Sequence, residues 1–287
     1  MSEQTFTFKC HNNQLCGIIH EASKPSKTGV VIVVGGPQYR VGSHRQFVLL
    51  ARFLAEKGYP VMRFDYTGMG DSTGEKKAFD KINADIEAAI NTFQNRIPSI
   101  KNILLWGLCD AASASLFYAP RDPRITGLTL LNPWVHTEAG EAKTFLRHYY
   151  RDRIFEGTFW KKLLQGRLDH TSTFKSIFTH VRRAFRSTKP TQSSGELAMS
   201  LPNKMLTAFK EFRGKTLILL SDNDLTAREF DDLIKHNEPW QLTILEKGAE
   251  IIAIPNADHT FSNRKAKQAV EKLTHQFLCE LNGVPLN

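Results

Sequence analysis

Short aliphatic runs, each apolar almost from end to end, recur along this 287-residue chain. Between them lie stretches with apolar residues at helical spacing. TGVVIVVGG (28–36), YPVMRFDY (59–66), KNILLWG (101–107), ITGLTLLNP (125–133), KTLILLS (215–221) and AEIIAIP (249–255) read as strands. A strand with no polar face must be covered on both sides, and a chain that alternates such strands with helices builds a mainly parallel sheet flanked by helices. HRQFVLLARFLAEKG (44–58) places Phe47, Leu50, Ala51 and Leu54 on one helical face and stops at Gly58. Residues 80–93 do the same with Ile82, Ile86, Ala89, Ile90 and Phe93, and a last helix is expected over 264–281. Phe6, Phe8, Leu15, Ile18 and Ile19 alternate more weakly and suit an antiparallel hairpin at one edge.

One segment breaks this rhythm. From Pro133 to Pro202 no strand pattern occurs, and aromatic and basic residues dominate. The expected organisation is a core of residues 1–132 and 205–287 interrupted by a mostly helical insertion at 133–204. Between Lys143 and Lys189 stand twelve Lys/Arg against three acids, Asp152, Glu156 and Asp169, which accounts for the whole net charge of +9. Such local excess suits attraction of an anionic group rather than a role in folding. No recognised nucleic-acid module accompanies it, so nucleic acid is not an expected partner. No run of about 18 apolar residues exists, so no transmembrane segment is expected, while peripheral membrane contact stays open. MSEQTFTFKC lacks the basic and apolar parts of an export signal, and four cysteines in such a chain suggest buried thiols in the cytoplasm.

Cys109 differs from the other three cysteines. Gly107-Leu108-Cys109-Asp110-Ala111 falls between a strand and a helix and has the form small-x-nucleophile-x-small. A nucleophile held up on a strained turn needs small neighbours two positions away, and a helix start favours a thiolate. DYTGMGDSTG (65–74) is a glycine-rich turn of the form D-x-x-G-x-G-x-S-x-G, with neither the Rossmann nor the P-loop spacing. Ser221-Asp222-Asn223-Asp224 follows a strand, and Asp258-His259-Thr260-Phe261 precedes the final helix. The order nucleophile, acid, base, each at a strand's carboxyl end, belongs to one of the recurrent catalytic triads and differs from the orders in trypsin-like and subtilisin-like folds. Asp224 is the expected acid and Asp222 the alternative.

Together these features resemble the α/β-hydrolase superfamily over residues 7–281. VVGGPQYRVGSHRQF, RFDYTGMGDSTGE, LWGLCDAASA, LLNPWVHTE and NADHTF further resemble the first type of exosortase A system-associated hydrolase, bacterial enzymes encoded beside exosortase and exopolysaccharide genes. The resemblance implies that the insertion is a cap over the site. It also implies a Cys109–His259–Asp224 triad that needs no cofactor and no metal. The oxyanion hole would use the backbone N–H of Asp110 and a donor from GGPQYRVG. Pro37 has no N–H there, which leaves Gln38, by its N–H or its side-chain amide, with Gly36 as a further candidate. The expected activity is hydrolysis of an ester or thioester bond in a small-molecule or carrier-linked acyl substrate bearing an anionic group. Two other readings stay open: an acyltransferase to a sugar or polymer hydroxyl with the same triad, and a non-catalytic binding protein derived from a hydrolase.

Overall fold

The computed structural model describes residues 2–135 and 199–285. Almost all of the insertion expected at 133–204, with the twelve Lys/Arg between Lys143 and Lys189 and all its aromatics but Trp134, lies outside them. The described chain forms β1 (Glu3–Cys10), β2 (Asn13–His20), β3 (Thr28–Val33), α1 (Gln46–Glu56), β4 (Val61–Asp65), α2 (Asn83–Arg96), β5 (Asn102–Leu108), α3 (Asp110–Tyr118) and β6 (Ile125–Leu131). It continues with α4 (Leu201–Glu211), β7 (Lys215–Ser221), α5 (Leu225–His236), α6 (Glu238–Lys247), β8 (Glu250–Ile254) and α7 (Arg264–Asn282).

The eight strands make one sheet in the order β1-β2-β4-β3-β5-β6-β7-β8. Strands β4-β3-β5-β6-β7-β8 run parallel, and the β1–β2 hairpin adds antiparallel at the β4 side. This is the α/β-hydrolase fold, with each strand of the apolar series in the sheet. The reason is visible in β3, whose six residues are all buried, and in β5, buried from Ile103 to Leu108. Such strands hold a low-energy place only under helices on both faces. Helix α3 is buried nearly all round, and its Ala111, Ala112, Ser113, Ala114 and Ser115 let it lie close on the sheet. The core beneath the site contains Ile32, Val34, Phe47, Trp106, Leu219 and Phe261, with Phe47 edge-on to Trp106 at 5.6 Å.

Three helices were not legible in the sequence pattern: α4, α5 and α6. Helix α5 is strongly amphipathic, but its apolar residues are few (Ala227, Phe230 and Ile234 among them) and are interleaved with charges. Cys10, Cys16 and Cys279 are buried and unbonded to one another, as small apolar side chains would be.

Candidate active site

Cys109 sits between the end of β5 and the start of α3 with φ 62° and ψ −125°. A non-glycine residue there is strained, and such strain marks places where the chain must aim a side chain. Hydrogen bonds hold the strain in place: Cys109 N–H donates to Leu131 O at 2.8 Å, and Cys109 O accepts from Ala112 N at 3.0 Å and Trp134 N at 3.2 Å. Ser113 Oγ donates to Trp134 O at 2.7 Å, so the segment leaving β6 is tied to the same turn. The small flanking residues are required sterically. A Cβ on Gly107 would stand 2.6 Å from the carbonyl carbon and oxygen of Ala111. Of the four thiols, only that of Cys109 is part-exposed rather than buried.

His259 comes to the site on the loop between β8 and α7. Its anchor is Phe261, two residues on, which is 1% exposed and turns its backbone to φ 52° to enter the core. Burying an aromatic side chain stabilises by about 2 kcal/mol, enough to hold such a turn. His259 Nδ1 lies 2.9 Å from Asp224 Oδ2, which puts the Nδ1 proton toward the carboxylate and leaves Nε2 for the thiol. Asp224 is itself fixed as the N-cap of α5, where Oδ2 also accepts the N–H of Ala227 at 2.9 Å. Hydrogen bonding to Asp224 first, then to Cys109, pushes the His259 pKa up to about 10 against the opposing effect of burial. The imidazolium is therefore the favoured form at neutral pH.

The raised pKa has a stability consequence. The native state holds this proton more tightly than the unfolded chain, so the contribution is complete below pH 6.5 and fades as pH rises through about 10. The difference in urea midpoint between wild type and His259→Gln is expected to be largest at pH 6 and to shrink by pH 10.

The other expected site residues divide. Asp222 does not reach His259: its Oδ1 accepts the N–H of Ala257 at 3.1 Å and ties the β8 loop to the end of β7. Gln38 N–H closes a turn with Gly35 O at 3.3 Å. Its side-chain oxygen accepts from Ser43 N and Gln46 Nε2, leaving its amide Nε2 as the donor. Gly36 N–H, the further candidate, is given to Asp110 Oδ2 at 2.9 Å. The loop bearing these residues is secured at its far end by Arg40, whose guanidinium pairs with the fully buried Asp65 and with Asp71 at 2.5 Å. Asp65 also accepts Arg40 N–H at 2.6 Å and Asp71 N–H at 3.1 Å, and Ser72 Oγ donates to Asp65 O at 2.7 Å. The glycine-rich turn is thus a carboxylate clamp on its neighbouring loop.

One residue escaped sequence reasoning. Asn132, fully buried just beyond β6 with φ 42°, donates through Nδ2 to Ser221 Oγ at 2.5 Å and to His259 O at 3.0 Å. Its Oδ1 accepts Ser221 N–H at 2.9 Å. It joins the ends of β6 and β7 to the backbone of His259. The dipeptide Asn-Pro after a strand is an ordinary turn signal, and nothing in it points to a histidine more than a hundred residues away.

A mostly parallel sheet with a strained strand-to-helix turn at its centre, facing a histidine and an acid from later strand ends, defines an α/β hydrolase. Residues 25–229 match the model of the serine aminopeptidase family S33, and the chain belongs to that family. The match includes Cys109 and Asp224 and ends before His259. Among solved structures, the chain is similar to an esterase of Pyrococcus furiosus at 14% identity and TM-score 0.66, covering 98% of this chain and 91% of that one. It is also similar to a Butyrivibrio proteoclasticus protein bound to ferulic acid, at 14% identity and TM-score 0.62 over 97% and 99% of the two chains. A serine hydrolase homologue from Coxiella burnetii is similar at 15% identity and TM-score 0.57, over 97% and 98%. No curated protein matches the chain.

Proposed function

We propose that this hydrolase cleaves an ester or thioester through an acyl-cysteine on Cys109, with His259 carrying the proton and Asp224 orienting it. The observation that carries this reading is the His259 ring, hydrogen-bonded to Asp224 at one nitrogen and raised toward its charged form by both Asp224 and Cys109. A binding module has no use for that arrangement. In the proposed scheme the proton shared between Cys109 and His259 sits on the imidazole when sulfur attacks, and the start of α3 places its dipole beside that sulfur.

In this scheme Cys109 Sγ attacks the acyl carbon, forming the C–S bond while the carbonyl π electrons move to oxygen. The backbone N–H of Asp110 and the side-chain amide of Gln38 are the proposed donors to that oxygen. Collapse expels the alkoxide or thiolate, which takes the proton from His259 Nε2. Water then adds to the acyl-cysteine, giving its proton to His259, and the acid leaves as the thiolate returns. A thiolate departs more easily than an alkoxide or amide, so thioesters and activated esters fit better than amides.

The finer points of the proposal rest on the sequence. The division into a core and a basic cap at 133–204 supports a carrier-linked or otherwise anionic acyl group as substrate. The motif segments support kinship with the exosortase-associated type. Four thiols without a disulfide suit a cytoplasmic protein. The ferulic acid bound to the Butyrivibrio relative makes small aromatic acyl esters a sensible part of an assay panel.

The test is intact-mass spectrometry after acid quench, on wild type and on His259→Ala, with acyl thioesters and p-nitrophenyl esters. An adduct of acyl mass mapping to Cys109 is expected, more abundant in His259→Ala because the second half-reaction needs the imidazole. Absence of any adduct alongside undiminished hydrolysis by Cys109→Ala would refute the proposal.

A further inference from the structure

The side chain of Asp110 has no part in the scheme above, which uses only its backbone N–H. A carboxylate next to the nucleophile is an electrostatic handicap, because acyl transfer builds negative charge close by. Its contacts show what it does instead. Oδ2 accepts the N–H of Gly36 at 2.9 Å, and Oδ1 is buried without a hydrogen-bond partner. Asp110 lies so tightly against the loop that a Cβ on Gly35 would overlap Oδ1 and would stand 2.7 Å from Ala111 N. Burial raises its carboxyl above the ordinary range, opposed by the N–H groups of Gly36, Ala111 and Asp110 itself and by Lys76. The loop it holds has few ties of its own at this end. Pro37 has no N–H, and the turn from Gln38 N to Gly35 O is long at 3.3 Å. At the other end, Arg40 is gripped by Asp65.

We propose that the Asp110 side chain is a positioning residue that fastens the loop 35–38 to the helix beginning beside Cys109. It thereby keeps the donor of that loop at a constant distance from the reacting carbonyl oxygen. This rests on the acyl-cysteine reading and adds a role for a side chain which that reading leaves idle.

Two reactions of the same thiol separate positioning from general damage. Acylation by a p-nitrophenyl ester passes through an oxyanion. Alkylation by iodoacetamide is a displacement at a tetrahedral carbon and builds none. For Asp110→Ala, kcat on the ester is expected to fall ~10–100-fold, less than the ~10²–10³-fold of removing an oxyanion donor outright because the donor is displaced and not deleted, with KM within about threefold. The alkylation rate of Cys109 should stay within about threefold of wild type, since displacement at a tetrahedral carbon needs no oxyanion donor. Asp110→Asn keeps an oxygen for the Gly36 N–H and is expected to recover kcat to within about fivefold of wild type. Gly35→Ala, which keeps the carboxylate but forces the loop off it, should lower kcat and spare alkylation as Asp110→Ala does. An Asp110→Ala protein with wild-type kcat, or one whose alkylation falls in step with kcat, overturns the proposal. So does an Asp110→Asn protein as impaired as Asp110→Ala. Turnover that survives in Cys109→Ala defeats the acyl-cysteine reading instead, so the two failures are distinguishable.

Discussion

Cys109→Ala is expected to lose at least ~10⁴-fold in kcat/KM, and Cys109→Ser to recover only a small part, remaining ~10²–10⁴-fold below wild type. The alanine result follows from removing the atom that bonds to the acyl group. The serine result is the more informative, because the family is named for a serine. A serine hydroxyl becomes a nucleophile only as a neutral imidazole takes its proton. Here the imidazole is held in its charged form, by Asp224 first and Cys109 second, with a pKa of about 10. The serine variant loses the second of these influences, and its hydroxyl must give its proton to the imidazole before it can attack, in a pocket shaped around the larger sulfur. The measurement is initial-rate kinetics on an activated ester from pH 6 to 10, with iodoacetamide labelling as a companion. Wild type should be labelled at Cys109 well before Cys279, which is buried at 4% exposure. A Cys109→Ser enzyme as fast as wild type would show that the sulfur has no special part in the reaction.

Asn132→Ala should give the largest stability change outside the apolar core, about 2–4 kcal/mol, together with a lower kcat. The substitution leaves Ser221 N–H, Ser221 Oγ and His259 O each without the partner it has now, all at a fully buried residue. An unmade hydrogen bond at a buried group costs ~1–3 kcal/mol, and alanine at φ 42° adds backbone strain. Because one of the three bonds ends on the backbone of His259, the loss should be felt in the geometry of the site as well. Urea unfolding with an unchanged m-value reads the stability. Paired kcat and KM values read the geometry, with kcat the more affected. A stability change under about 0.5 kcal/mol, typical of surface substitutions, would show that water or a rearranged loop replaces all three bonds.

The fold was legible because burial leaves a periodic trace. An aliphatic run such as VVIVV is intelligible only as a strand covered on both faces, and six such runs separated by helices leave little choice but a parallel sheet. The positions of the proposed triad stand out for a related reason. Cys109, Asp224 and His259 each stand just beyond the carboxyl end of a strand, and in a parallel sheet all such ends share one edge. Helices α5 and α6 left a fainter trace, since their apolar faces are narrow and charges interrupt them.

What the pattern could not convey is which polar atoms meet across that edge. Asp222 and Asp224 are two residues apart and chemically alike, yet one supports the Ala257 loop and the other turns to His259. Gln38 could donate by its N–H or by its side-chain amide, and the structure turns the N–H to Gly35 O and engages the side-chain oxygen, leaving the amide Nε2. Asn132 and the Asp110 carboxyl carried no signal at all. Hydrophobic periodicity records how much of a residue is hidden from water, and strand order records which ends lie together. A hydrogen bond depends on a few tenths of an ångström between groups far apart in the chain. The sequence by itself therefore determined the sheet, the helices α1, α2 and α7, and the edge where chemistry can occur. The tertiary structure alone decided which carboxylate bonds the histidine and what holds loop 35–38, because those outcomes are settled by through-space geometry and not by local composition.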